Sequence, residues 1–375
     1  MRIVPPPFHH MKPSLFLSFY DKLESLIQRL PESIKQPVLR ELTPIKTLFL
    51  LQRPPRIVLL GPAGPGKIEI LRFLFQTDVL RPSEANLGDG TWQTFGNKSQ
   101  GSLQLLDARR PTSLSLTTTS LTASPPDLYL FLQTSPPIKK NIDDDLAHAA
   151  QIIAIADSLS TQRGKILGIT LPIGHSDPEP TRQNLHQSLH SQPLISERIA
   201  GTLSISTPAD QSRLAELIAI ELPSETQLEI ARLSSNRALQ KQIAQVVIKS
   251  TSAVAAAIGA QPIPLADLPI LLSLQTAMVA SIMHISGREL SSKAAAEFIA
   301  SVGAGLGLAL VLRETTRAVV KFVPVYGNAV SGAVAAAGTY TIGRSASAYF
   351  IENISLTEAR QLFRKTKPTI STQTD

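Results

Sequence analysis

The chain has 375 residues, 43% hydrophobic and 17% charged, which excludes a wholly disordered protein and leaves room for two domains with cores of their own. The absence of cysteine rules out disulfides, thiolate metal sites and cysteine nucleophiles, and it fits a reducing, cytoplasmic compartment. A net charge of +7 favours anionic partners such as phosphates or acidic lipid headgroups, whereas 5% aromatics with no interleaved basic run lead us to expect no nucleic-acid partner.

Residues 1–13 read as a Pro-rich tail without the apolar core of a secretory signal. From Ser14 the residues Leu15, Phe16, Phe19, Leu23, Leu26, Ile27 and Leu30 keep helical spacing, and Pro31 is a stop. A second helical stretch covers about 33–51, with Val38, Leu39, Leu42, Ile45, Leu48 and Leu51. Pro54-Pro55 ends this arm, residues 1–52.

Residues 53–222 alternate strand and helix signals. Arg56–Leu60 is a short apolar run of the kind that a buried parallel strand requires. Further strands are expected at Leu103–Leu106, Leu128–Leu132, Ile166–Thr170 and Ile199–Ile205, with helices at Ile142–Leu159 and Gln211–Leu222. This alternation specifies a doubly wound, mostly parallel α/β sheet of the P-loop type. The Ser/Thr/Pro-rich segments Ser113–Pro126 and Leu171–Pro193 read as surface loops, so His186 and His190, although four apart, read as loop residues rather than metal ligands.

Between the first strand and its following helix stands Gly61-Pro-Ala-Gly64-Pro-Gly66-Lys67, which fits G-x-x-x-x-G-K. In such a loop backbone N–H groups and a helix N-terminus face a phosphate, and Lys67 adds a point cation. Ile68 stands where a Ser or Thr hydroxyl would ligate magnesium, and Pro62 and Pro65 each remove one N–H from the cradle. Asp107 ends its strand as the second magnesium-linked carboxylate should, yet Arg110 replaces the glycine of Asp-x-x-Gly. Thr91, in Gly88-Asp-Gly-Thr91, stands where a switch threonine could lie or is an ordinary loop residue. After the strand that ends at Thr170, where Asn/Thr-Lys-x-Asp would read guanine, the sequence is Leu171-Pro-Ile-Gly-His-Ser-Asp177, with no lysine and no carboxylate in register. The candidate binding residues are therefore Gly61, Gly64, Gly66, Lys67, Ile68, Thr91 and Asp107; none is assigned a catalytic role, and no metal ligand set is assigned.

Beyond Pro223 the composition turns Ala-, Leu-, Ile- and Val-rich. Helices are expected at about 227–259, 266–286, 291–321 and 326–352, forming a hydrophobic all-α domain over 223–355 ahead of a polar tail, 356–375. Leu268–Gly287, Phe298–Leu312 and Phe322–Gly343 lack charge, with Arg313, Arg317, Lys321 and Arg344 flanking them. A membrane-associated domain and a tight soluble bundle both fit this pattern.

Two features of the first half and three of the second carry a resemblance: Arg53-Pro-Pro-Arg-Ile-Val-Leu-Leu-Gly61 leading into the loop, Leu105-Leu-Asp107, Ile263-Pro-Leu-Ala-Asp267-Leu-Pro, Tyr326-Gly-Asn-Ala-Val330 and Tyr340-Thr-Ile-Gly-Arg344-Ser-Ala. In these the chain resembles, over about residues 30–355, bacterial GTPase-like proteins with a G domain of the Era/dynamin-like class followed by a helical domain of unknown function; it departs at Ile68, Arg110 and 171–177. The resemblance implies GTP/GDP as the ligand, while the changed loop disfavours Mg2+. The expected function is GTPase-like nucleotide binding with weak or no hydrolysis, coupled to a membrane-associated helical domain, with anionic lipid or another protein as partner. The alternative is a non-binding pseudo-GTPase that acts as a soluble scaffold. Oligomeric state is left open by the sequence.

Overall fold

The structure, a computed structural model, describes residues 25, 28, 32–63, 90–97, 101–109, 114–138, 141–160, 163–260, 267–303 and 327–365. The chain divides into two compact units: residues Gln52–Leu239, and Met1–Leu51 taken together with Gln240–Asp375. The sequence placed its boundaries instead at 52 and 222, with residues 1–52 as a separate arm.

In the first unit the strands are β1 (Arg56–Leu60), β2 (Gln93–Asn97), β3 (Gly101–Asp107), β4 (Leu128–Ser135), β5 (Lys165–Pro172) and β6 (Ile199–Ser204), ordered β2-β3-β1-β4-β5-β6. All neighbours are parallel except β2 against β3, so the sheet is the expected doubly wound, mostly parallel one. Every residue of β4 is buried, and four of the five of β1 are, because helices cover both faces. The chain runs from β1 outward to β2 and β3, then crosses back over β1 to β4. This places the loop after β1 at the point where strand order reverses, the usual ligand crevice of such sheets.

The helix α1 (Glu32–Phe49) precedes β1 in the chain; α2 (Leu114–Ala123), α3 (Asp143–Leu159), α4 (Glu179–Ser191) and the short α5 (Pro193–Ser196) connect the strands, and α6 (Pro208–Glu221) follows β6. Both segments read from sequence as surface loops contain helices, α2 and α4. Each buries a narrow stripe at helical spacing, Thr117 and Leu121 in one, Thr181, Leu185 and Leu189 in the other. α3 begins where the triple Asp143–Asp145 favours a helix start, with the Asn141 side chain accepting from the Asp143 N–H at 2.8 Å. Tyr129, Phe131, Leu146, Ile152, Ile153, Leu185 and Leu189 form its core against one face of the sheet.

The helix expected over 227–259 is two helices, α7 (Ser224–Leu233) and α8 (Arg237–Gly259). Asn236 breaks them: its side-chain oxygen accepts from the N–H groups of Ala238 and Leu239 at 2.9 and 3.1 Å, a new N-cap, while Ser235 takes φ 49°. α7 is built into the sheet unit. Glu229 accepts from the Ser102 N–H at 2.5 Å and from the Gln52 amide, and Arg53 forks onto Asp127 with two bonds of 2.7 Å while reaching Glu225 at 3.2 Å. Those bonds hold the entry to β1 and the start of β3 on one helix, and they keep the Arg53 guanidinium more basic than usual.

In the second unit α9 (Asp267–Ile285), α10 (Ser292–Gly303), α11 (Gly327–Phe350) and α12 (Leu356–Lys365) follow α8. The expected helix 291–321 is described to Gly303, and its remainder lies outside the described residues; so does the first expected helix, apart from residues 25 and 28. The tail holds one more helix, α12, whose start is a capping box: Ser355 N–H donates to Glu358 at 2.8 Å and Glu358 N–H to the Ser355 hydroxyl at 3.2 Å. α8 and α11 meet through glycines. A Cβ on Gly332 would come within 2.7 Å of the Ala256 carbonyl oxygen, and one on Gly259 within 2.7 Å of the Ala335 Cβ, so the backbones touch where side chains are missing. Several polar residues of the uncharged stretches turn inward: the Gln275 amide donates to Thr339 at 3.0 Å, and Ser281, His284, Thr339 and Thr341 are buried. No helix among the described residues is long and apolar enough to cross a membrane.

Candidate functional site

Gly61 follows β1 with φ +106°, and a Cβ there would lie 2.4 Å from the Leu132 carbonyl oxygen of β4. Only glycine lets the chain leave β1 this close to the neighbouring strand, which is the geometric reason for the first glycine of the motif. Pro62 and Ala63 are also described; Gly64, Gly66, Lys67 and Ile68 lie outside the described residues.

The register Leu59↔Asp107 places Asp107 beside β1, two residues before Gly61, and the Ala108 N–H closes the junction by donating to the Leu59 carbonyl at 3.0 Å. The Gly90 N–H donates to the Asp107 carbonyl at 3.1 Å, and β2 pairs antiparallel with β3 from Gln93↔Leu105 onward, so Thr91 stands beside the same strand end, half-buried. Ser120 fixes this entry by donating its hydroxyl to the Gly90 carbonyl at 2.9 Å and accepting the Trp92 indole N–H on its own carbonyl at 2.9 Å. Three of the candidates, Gly61, Thr91 and Asp107, thus converge at the carboxyl ends of β1 and β3.

Asp107 is not an open carboxylate. Arg109, two residues on, donates Nε–H to one oxygen at 3.0 Å and Nη2–H to the other at 2.8 Å, and its backbone N–H reaches the first oxygen at 3.2 Å. The side chains are 9% and 7% exposed, so the ion pair is buried. A planar guanidinium matched to both carboxylate oxygens is the strongest geometry available to such a pair. The backbone between them is held as well: the Ala108 carbonyl sits 2.9 Å from the His148 Nε2 of α3, and because a carbonyl only accepts, that nitrogen carries the proton. The G-domain pattern singles out position 110, where it asks for glycine, and assigns nothing to Arg109; a cation two residues after a strand-ending aspartate is the available signal.

At the other side of the crevice the loop after β5 is tied to the end of β4. The Ile173 N–H donates to the Ser135 carbonyl at 2.7 Å, Ser176 donates its hydroxyl to the same carbonyl, and the Ser135 hydroxyl donates to the Asp177 carbonyl at 3.0 Å. The Asp177 carboxylate accepts from the Glu179 N–H at 3.0 Å and so starts α4. Its side chain is spent on the helix, and no acid stands in the guanine-reading register.

His186 and His190 are on α4, not in a loop, with ring centroids 4.5 Å apart; each turns its Nδ1 to a hydroxyl, of Thr202 at 3.3 Å and of Ser196 at 3.2 Å. Among the described residues no three His, Asp or Glu side chains are grouped to hold a metal ion.

With this geometry in place, comparison with known proteins adds two likenesses. Residues 224–373 match a domain of unknown function (DUF697), a segment that begins at α7, within the sheet unit. A solved structure of Era in complex with MgGDPNP and nucleotides 1506–1542 of 16S ribosomal RNA is similar at 12% identity and a TM-score of 0.32, covering 57% of this chain and 70% of that one. No curated protein matches the sequence.

Proposed function

We propose that the chain is a GTPase-like nucleotide-binding protein that holds the phosphates of its ligand without magnesium and hydrolyses them weakly or not at all. The observation that carries this reading is the capture of Asp107 by Arg109. In a P-loop site the strand-ending aspartate and the hydroxyl after the loop lysine orient magnesium. Here position 68 offers an isoleucine, with no oxygen, and both oxygens of Asp107 already face a guanidinium. This donor set does not fit magnesium. The guanidinium that pairs with Asp107 is part of the chain.

What remains fits an anion. Gly61 keeps the turn that a Cβ would block, and the sequence supplies Lys67 and the later glycines. The described residues 171–177 hold no guanine-reading motif, so guanine and adenine nucleotides are expected to bind alike. Calorimetric titration of the intact protein with GTP, GDP and ATP tests this. Saturable binding of all three supports the reading; absence of binding to any of them overturns it and leaves the non-binding scaffold.

Association of the helical unit with an anionic membrane surface on the cytoplasmic side belongs to the same proposal. Its support is the uncharged stretches and their cationic flanks. The expected behaviour is sedimentation with membranes and release by carbonate. A chain that never sediments with membranes contradicts the surface association.

A further inference from the structure

His186 and His190 stand four residues apart on α4, beside the buried stripe of Thr181, Leu185 and Leu189. That spacing stacks two side chains one turn apart on a single helix face. Both histidines are exposed, with ring centroids 4.5 Å apart and planes inclined at 70°. In a loop their spacing would mean nothing; on a helix it is the arrangement by which histidine pairs hold zinc.

The ring nitrogens divide into two sets. Nδ1 of His186 lies 3.3 Å from the Thr202 hydroxyl of β6, and Nδ1 of His190 lies 3.2 Å from the Ser196 hydroxyl of α5. Among the described residues none bonds to either Nε2. A hydroxyl donates or accepts, so when a cation occupies Nε2 the proton sits on Nδ1 and the hydroxyl accepts it. Ligating histidines are oriented by such a bond. α4 ends at Ser191, so the pair lies in its last two turns, where the helix carbonyls favour positive charge. Arg182, which donates to the same Thr202 hydroxyl at 3.2 Å, is offset by Glu179, which accepts from its Nε at 2.8 Å.

We infer that His186 and His190 chelate one divalent late transition-metal ion of the copper and zinc kind through their Nε2 atoms. Imidazole nitrogen suits these ions, whereas Mg2+ and Ca2+ ask for oxygen. Two protein ligands make an open site, with water or an outside donor in the remaining positions. The residues concerned belong to α4, α5 and β6, so the site stands independently of the nucleotide-binding reading.

Calorimetric titration of the intact protein with Cu2+ and with Zn2+, in buffer holding excess Mg2+, tests this. The parent is expected to bind one equivalent of either ion, Cu2+ the more tightly. His190→Gln and His186→Gln should each bind at least about ten- to a hundredfold more weakly, since losing a ligand costs no less than losing its outer partner. His190→Gln combined with Ser191→His keeps the histidine count but turns one ring by about 100° round the helix, and it should bind as poorly as His190→Gln. His9→Gln with His10→Gln removes the other neighbouring pair of the sequence and should bind like the parent. All three positions on α4 are exposed, so the metal-free unfolding midpoints should stay parental, while metal raises the midpoint of the parent and not of the α4 variants. That pattern supports the inference. Parental binding by His190→Gln or by the shifted pair would show that histidine content, not this chelate, takes the ion, and would overturn it. Loss of binding in the His9, His10 variant, or no saturable binding by the parent, overturns it as well.

Discussion

Replacing Arg109 with methionine removes the guanidinium that engages both oxygens of Asp107 but keeps an apolar stem of similar reach. The two side chains are 7% and 9% exposed, so the change strands a carboxylate in a poorly solvated place instead of returning it to water. Breaking a buried pair from one side costs about 3–5 kcal/mol. For a unit the size of residues 52–239 each kcal/mol moves the midpoint by about 2–4 °C, so the expected fall is roughly 6–20 °C. Adding Asp107→Asn to the same chain removes the stranded charge and should restore part of the loss, with a coupling of about 1–3 kcal/mol between the two positions. Trp92, the single tryptophan, belongs to this unit and bonds to Ser120 beside the site, so its fluorescence during urea unfolding reports the right part of the chain. Strict additivity of the two changes, or a cost below about 1 kcal/mol for Arg109→Met, would refute the claim that the pair is a buried, matched one.

Gly61→Ala places a methyl 2.4 Å from the Leu132 carbonyl at φ +106°, and backbone strain plus overpacking should cost about 2–5 kcal/mol; tryptophan-monitored unfolding at parental stability would show that the turn is not so constrained. Gly332→Ala improves helix propensity by about 1 kcal/mol, yet its Cβ would meet the Ala256 carbonyl at 2.7 Å, so net destabilisation of about 1–2 kcal/mol is expected in circular-dichroism melts. A stabilised Gly332→Ala would mean that α8 and α11 do not approach as closely as described. Glu179 donates nothing but accepts from Arg182 and Gln183, and these bonds, Arg182 foremost, hold its carboxyl down at about 2 against an ordinary 4.5. A depressed folded value stabilises above the ordinary one and loses that contribution as pH falls from about 4.5 towards 2. Melting profiles of Glu179→Gln should therefore be flatter than those of the parent across that window, and superimposable slopes would count against the pairing.

How far the sequence discloses this molecule depends on how each element is buried. β1, β4 and β5 announce themselves as apolar runs because nearly every residue of each is buried; Leu128–Leu132 is legible for that reason, and only its polar end, Gln133–Ser135, is not. β2, Gln-Thr-Phe-Gly-Asn, has one neighbour and one half-buried side, so it carries no such run. α2 hides in a Ser/Thr-rich segment because its hydroxyls satisfy themselves on the preceding turn: Thr118, Thr119 and Thr122 donate to the carbonyls of Leu114, Ser115 and Thr118 at 2.7–2.9 Å. α12 was readable after all, since Ser355-Leu-Thr-Glu358 is a capping box in plain sight within what looked like a polar tail.

The site shows the same division. Gly61 and Asp107 were legible because a motif prescribes their residue types and the sheet then fixes their places. Arg109 was not, because its role depends on a side chain folding back two residues onto the strand it leaves.

The central claim is that an internal guanidinium stands where a magnesium site would otherwise be. It is tested most directly by titrating GTP into the protein once with magnesium in excess and once with EDTA in excess. The account predicts saturable binding with the same Kd in both. Binding that appears or tightens only with magnesium would show that Asp107 leaves Arg109 for the metal, and would contradict it.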